Sequence, residues 1–362
     1  MAASPPPLGE GDREVVEGGG FAGRPKGGRV RAGWWRGLAS PARVEFARRS
    51  RSLLFPFALC LCLAAAKPPP LVEARWMAPS APLAERIAAL TTEPASCLPP
   101  ARAGDYEIEV GRAAFSDPLV LGGQAARAGI SCASCHENGR GDPHFEFPGI
   151  SGAPGTADVT TFLFSAHRGD FTFDPKPIPD LGRPKAAMKV DQSPAAHLLA
   201  PFIHGLVVAE FDGPEPPPAV LAGLVAYVRA LDPARCAGAP DVKIDEARDL
   251  SAAAAAGGAG REALARNDPA TARVMVEAAR STLGRIAERY AGASLGADRA
   301  TLVDSALQLS AALAALDHHD EAGADLDLSA WIEAAPALNA RLARDERASL
   351  YDPRVLRRAL AP

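Results

Sequence analysis

Aromatic residues are scarce in this chain: Phe, Trp and Tyr make up 6% of its 362 residues, although 48% of them are apolar. Sheet-rich folds draw on aromatic and β-branched side chains, so this shortage, with abundant Ala after residue 250, points to helices. Neither sign of charge dominates; the net charge is −4, with acids and bases scattered along the chain. A nucleic-acid partner calls for a basic stripe, and none is present. No stable membrane span is expected either. The apolar run LLFPFALCLCLAAA at 53–66 has 14 residues, short of the roughly 20 that a spanning helix needs.

The first forty residues are rich in Gly, Pro and Arg and show almost no apolar periodicity, as in SPPPLGEGD and GRPKGG. Residues 1–43 are therefore expected to be disordered or not translated, with the start near Val44. Arg48, Arg49 and Arg51 then precede the apolar run, which ends in Ala64-Ala65-Ala66. A positive segment, a short apolar segment and an A-x-A site make a secretory signal peptide, assigned to 44–66. It predicts export to the periplasm. Residues 67–96 read as a linker. The residues before Cys60 and Cys62 are too bulky for a lipoprotein site.

Cleavage after Ala66 removes Cys60 and Cys62 and leaves Cys97, Cys132, Cys135 and Cys236. Disulfides persist outside the cytoplasm. A Cys97–Cys236 bridge is expected, pinning together the ends of a domain at 97–236; two unpaired, partly buried thiols are the alternative. Such long-loop bridges stabilise by about 2–5 kcal/mol.

Residues 131–136 read Ser-Cys-Ala-Ser-Cys-His. C-x-x-C-H is the attachment signature of c-type haem. On one helical turn, residues i and i+3 share a face, so both thiols reach the two vinyl groups on one porphyrin edge. His136 follows and carries its imidazole under the iron as proximal ligand. A zinc site needs a second ligand pair at short spacing, and no other C-x-x-C and no H-x-x-x-H occurs. A thioredoxin-like pair belongs in a βα context, whereas the surroundings here read as loop and helix. One covalently attached haem c is the cofactor expected.

The flanks fit a helical haem domain. Gly111 and Phe115 lie on a candidate opening helix. Pro216, Pro217 and Pro218 suit the entry of a closing helix marked by Val220, Leu224, Tyr227 and Leu231 and stopped at Asp232-Pro233. The run GRAAFSDPLVLGGQAARAGISCASCH at 111–136 resembles the haem-binding start of the bacterial cytochrome c peroxidase and methylamine-utilisation family, and residues 106–232 look like one haem domain of that group. The resemblance implies a class I cytochrome c-like domain with long loops. Members typically carry two haems in two such domains and reduce peroxide or oxidise a partner. This chain has a single C-x-x-C-H, which excludes a two-haem mechanism within it.

The sixth iron ligand separates a carrier from a catalyst, since a Met thioether closes the site and raises the potential. Met188 is the one methionine between the motif and the closing helix, following the Pro-rich PKPIPDLGRPK. Residue type and position leave it open as ligand or as core filler. His144, His167, His197 and His204 are the rivals, and Phe202-Ile203-His204-Gly205 faintly resembles a distal stretch of the family that has Asp where Gly205 stands. Arg168 of His167-Arg168-Gly169-Asp170 is a candidate for the haem propionates, although Arg168 and Lys189 read more simply as solvated. Glu146 and Glu210 are candidate general acid/bases for peroxide cleavage.

Beyond Cys236, Asp268-Pro269 starts a long helix striped by Val276, Ala279, Leu283, Ile286 and Tyr290. Leu302, Ala306, Leu309, Leu313 and Leu316 stripe another, and Leu328, Trp331 and Ile332 mark a third. An Ala-rich antiparallel helical bundle over 237–362 is expected. His318 and His319, adjacent on a helix, point about 100° apart and read as a solvated helix end rather than a metal site. The chain as a whole reads as an all-α, exported monohaem cytochrome that passes electrons to or from a redox partner protein. A single-haem peroxidase-like oxidoreductase with an open distal iron site is the alternative. N-terminal sequencing of the exported protein is expected to begin at Lys67, with an intact mass that exceeds the polypeptide by one haem; a product retaining residues before Val44 disproves the assigned start.

Overall fold

The computed structural model describes residues 71–185 and 188–361. The signal peptide expected at 44–66, with Cys60 and Cys62, and the stretch 1–43 lie outside them. Among the described residues the chain is all-α, and its four strands are two residues long each. The sequence starts many of its helices with one local device. Asp117, Asp232, Asp268 and Asp352 each accept a backbone N–H through the side chain and are each followed by Pro. The carboxylate satisfies a free N–H, worth about 1 kcal/mol, and the proline lacks an N–H where none would be bonded. Asp245 and Asp320 cap without proline.

In chain order, α1 (Leu83–Thr91) and β1 (Thr92–Glu93) precede α2 (Tyr106–Ser116), α3 (Pro118–Leu121), α4 (Gly123–Ala128) and α5 (Cys132–Cys135). Residues 136–185 and 188–198 follow with little regular structure beyond β2 (Thr156–Ala157) and β3 (Lys176–Pro177), which pair antiparallel. α6 (Leu199–Gly205) runs into a π-helical turn, Leu206–Glu210, and α7 (Pro218–Ala230) and α8 (Pro233–Cys236) complete this half. The expected opening and closing helices are α2 and α7, and they cross. A Cβ placed on Gly111 would lie 1.9 Å from the Gly223 carbonyl oxygen, so the two backbones touch. Only glycine permits this approach. One turn further along each helix, Phe115 and Tyr227 pack with ring centroids 5.2 Å apart.

Past β4 (Val242–Lys243), which pairs with β1, the four long helices are α9 (Glu246–Ala265), α10 (Pro269–Arg289), α11 (Gly296–Asp317) and α12 (Glu321–Asp345), with α13 (Pro353–Leu360) last. The expected stripe from Val276 to Tyr290 is buried throughout, as are Leu302, Leu309, Leu316, Leu328 and Trp331. Each helix packs on the next, and α12 returns to α9. There Gly257 makes room for the Trp331 ring, whose Nε1 donates to Ser305 Oγ at 2.7 Å. α9 and α10 also lie against α2. Ser281 Oγ donates to Asp117 Oδ1 at 2.9 Å across that contact. The described residues belong to one compact unit, so the boundary expected at 236–237 marks a change of composition within a continuous core. His318 and His319 are exposed at the end of α11.

Residues 71–96 were expected to be a linker, and they are folded instead. Leu71, Ala74, Met77 and Leu90 form a small apolar cluster with Leu350 and Leu356. The buried Arg289 donates to the Leu90 carbonyl at 2.9 Å and pairs with Glu73 at 2.9 Å, and Val72 N donates to Glu288 at 3.0 Å. Prolines at 79, 82 and 94 interrupt its apolar residues. The partner that covers them comes from the other end of the chain.

Gly111→Ala is expected to destabilise by about 3 kcal/mol, since the added methyl meets backbone that cannot yield; urea unfolding measures it. A second weak point is Glu246, buried with both carboxylate oxygens unpartnered. Burial, reinforced by the charges of Glu346, Asp245 and Asp249, raises its pKa from 4.5 to about 7. The folded state then holds a proton that the unfolded chain releases near its ordinary value, so the penalty grows as pH rises between these limits and stays above them. Glu246→Gln is expected to raise Tm at pH 8 and to change it little at pH 4, as followed by thermal unfolding at both.

Candidate functional site

The C-x-x-C-H segment is shaped by its two serines. Ser131 caps α5 and Ser134 answers it, its Oγ accepting the Ser131 N–H at 3.0 Å, a reciprocal capping box. This fixes a single helical turn and puts Cys132 and Cys135 on one face. Both thiols are unpaired. Burial pushes Cys132 up to about 12 and Cys135 higher still, where Asp142 adds to the effect. They are thus protonated at neutral pH.

His136 caps the turn, its N–H donating to the Cys132 carbonyl at 2.9 Å. Its ring Nδ1 lies 3.0 Å from the Pro179 carbonyl oxygen. A carbonyl only accepts, so Nδ1 carries the proton and the lone pair sits on Nε2. Burial lowers the pKa to about 4, against the opposing pull of Pro179 and Asp180. The imidazole is therefore neutral at pH 7. Nε2 has no hydrogen-bond partner among the described residues, which is the state a metal ligand requires. Cys132, Cys135 and His136 are enclosed by protein yet each keeps some accessible surface. Cys132 and Cys135 pack against the edge of the core without being sealed in it.

The ring of His136 also packs near Phe115, with centroids 6.3 Å apart, which links it to the α2–α7 crossing. The opposite face of the same turn looks into a different space. A cavity of about 520 Å³ is lined by Ala133, Ser134 and Glu137 together with Phe115, Tyr227 and Arg112, but by none of the two thiols and the imidazole. Glu137 is raised to about 9 there, mainly by burial and further by Asp142 and Glu93. The two thiols and the imidazole thus lie off this polar hollow.

Cys97 and Cys236 are disulfide-bonded, with Cα atoms 4.8 Å apart. Gly182 sits on the bridge: a Cβ there would lie 2.6 Å from Cys97 Sγ and 3.1 Å from Cys236 Sγ. From this seat the chain runs to Lys185, whose Nζ donates to the Val228 carbonyl at the end of α7 at 2.7 Å. Met188 follows, partly buried against the same core as Cys132 and Cys135.

The histidines are dispersed. His144 faces Glu85 at 3.1 Å, His167 faces Asp212 at 2.8 Å, His204 faces Glu215 at 2.9 Å, and His197 is exposed. Glu146 is half-buried, and its backbone N–H donates to the Trp76 carbonyl. Glu210, the last residue of the π turn, is buried; one oxygen lies 3.3 Å from Arg168 and the other is unpartnered. Burial raises its pKa. Lys189 is exposed. Among the described residues no three His, Cys, Asp or Glu side chains gather as a protein-only metal cage would need. A porphyrin asks less, because it brings four nitrogens and leaves two axial positions to the protein. The thiol pair and the free Nε2 fit that group.

Pro179, Asp180, Arg140 and Gly182 escape sequence reasoning. Their contribution is a backbone carbonyl, an ion pair and a missing side chain brought in from 43 residues away. Only the density of proline and glycine in PKPIPDLGRPK signalled a shaped loop. Comparison with family models, curated proteins and solved structures returns no match.

Proposed function

We propose that this chain is an exported, periplasmic monohaem c-type cytochrome that transfers electrons to or from a redox partner protein. The observation that carries the reading is the state of His136, neutral, with Nδ1–H given to a backbone carbonyl and Nε2 free, one residue beyond two reduced thiols on one helical face. Bound haem supplies a one-electron iron couple. Cys132 and Cys135 anchor it through thioether bonds, and the Pro179 carbonyl fixes the tautomer and tilt of His136.

The crossing of α2 and α7 at Gly111 and Gly223, with Phe115 and Tyr227 beside it, supports a class I cytochrome c-like domain over 97–236. Long loops between α5 and α6 fit a domain in which the macrocycle provides much of the apolar filling. Residues 237–362 serve as an Ala-rich antiparallel bundle, a firm backing through which the partner docks. Short links between α9 and α10 and between α11 and α12 favour antiparallel neighbours. No helix among the described residues is long and apolar enough to cross a membrane.

Met188 is the sixth ligand in this reading. The oxidised protein is expected to show a weak low-energy sulfur-to-iron absorption band that Met188→Ala abolishes, with haem still attached. A high-spin spectrum of the native protein with rapid peroxide turnover overturns the carrier reading in favour of the peroxidase-like one, for which the buried Glu210 beside Arg168 is the candidate acid/base.

A further inference from the structure

Two rungs join the segment that carries His136 to the segment that carries Pro179. The first is His136 Nδ1–H to the Pro179 carbonyl, 3.0 Å. The second is Arg140 Nε to Asp180 Oδ2, 2.7 Å, four residues and one residue further on. A third contact runs from Arg140 to the Cys236 carbonyl at 3.1 Å. Asp180 uses its other oxygen to accept the Gly182 N–H at 2.8 Å, and Gly182 is pressed on the Cys97–Cys236 sulfurs. On the other side of Pro179, Ile178 N donates to the Gly155 carbonyl at 2.9 Å, continuing the β2–β3 pair. The carbonyl that meets His136 is thereby fixed from both directions. Arg140 and Asp180 are each about a quarter exposed; their pairing is sheltered, and the guanidinium is shared between a side chain and a backbone.

We infer that Arg140 and Asp180, seated on the Cys97–Cys236 bridge, are positioning residues that hold the Pro179 carbonyl against His136 Nδ1 and so set the donor strength of the imidazole offered to iron. The inference rests on the haem reading for its functional consequence. A carbonyl that accepts the Nδ1 proton firmly makes Nε2 a stronger donor, which favours the oxidised iron. Loosening the clamp weakens that donation and raises the reduction potential. The disulfide takes part because it is the floor under Gly182, so its loss shifts the potential in the same sense.

The test uses the full exported chain with Arg140→Ala, Arg140→Lys, the isosteric Asp180→Asn and the double variant Cys97→Ser with Cys236→Ser. Intact mass reports covalent haem, spectroelectrochemistry the potential, and nitrogen-15 histidine NMR of the reduced protein the exchange of the His136 Nδ1 proton. At equal haem content, Arg140→Ala and Asp180→Asn raise the potential, and Nδ1–H exchange quickens about tenfold, the effect of losing about 1.4 kcal/mol of protection. Arg140→Lys, which reaches Asp180 but gives up the fork to Cys236, falls between. An unchanged potential and exchange rate in Arg140→Ala or Asp180→Asn overturns the clamp. If the native chain carries no covalent haem, the mass shows the haem reading to be wrong, and the exchange comparison decides the clamp alone. Should Arg140→Ala fail to fold, Asp180→Asn, which keeps the volume, decides it.

Discussion

Backbone lies on backbone where Gly111 of α2 meets Gly223 of α7, and the rest of the described structure is arranged around that contact. A side chain at either position would force the helices apart and with them Phe115 and Tyr227. Phe115 in turn abuts the ring of His136. Helix α2 also bears α9 and α10, and the end of α7 accepts Lys185 from the loop that leads to Met188. A contact without side chains thus aligns the motif helix, the long helices and the candidate ligand loop.

Irregular backbone surrounds the motif, and its polar groups are satisfied one at a time instead of by a ladder. Asp158 accepts from Thr160 and Asp174, Ser165 from His167 and Arg168, and Asp180 from Gly182. Such a scaffold is only as stiff as its individual anchors, which is why a disulfide below Gly182 and an ion pair beside Pro179 matter more here than in a helix. The long helices are held differently, by capped ends and small-residue packing. Among them α9 carries a buried acid, Glu246, with no partner.

Local chemistry was legible in the order of residues. Asp268-Pro269 starts a helix where it was expected to, since a cap acts within four residues, and Asp232-Pro233, expected as the stop of α7, also starts α8. The stripe at 276–290 recurs at helical spacing and is buried throughout, and in the one at 302–316 Leu302, Leu309 and Leu316 are buried while Ala306 and Leu313 are partly so. Cys97 and Cys236, expected as a bridge with two unpaired thiols as the alternative, are bonded. Less was legible in 71–96, because its apolar cluster is completed by Leu350 and Leu356 from the far end of the chain. The break expected near 237 was likewise a matter of composition, which does not reveal that α9 and α10 lie on α2.

By itself the sequence carried the local pattern: two thiols three residues apart, a histidine after them, and serines that fold them into one turn. Those interactions span a few bonds and survive any arrangement of the remainder. Tertiary structure alone decided which nitrogen of His136 is left free, through a carbonyl 43 residues distant, and what holds that carbonyl in place. Backbone carbonyls are the same in every residue, so their use at a distance leaves no mark in the sequence.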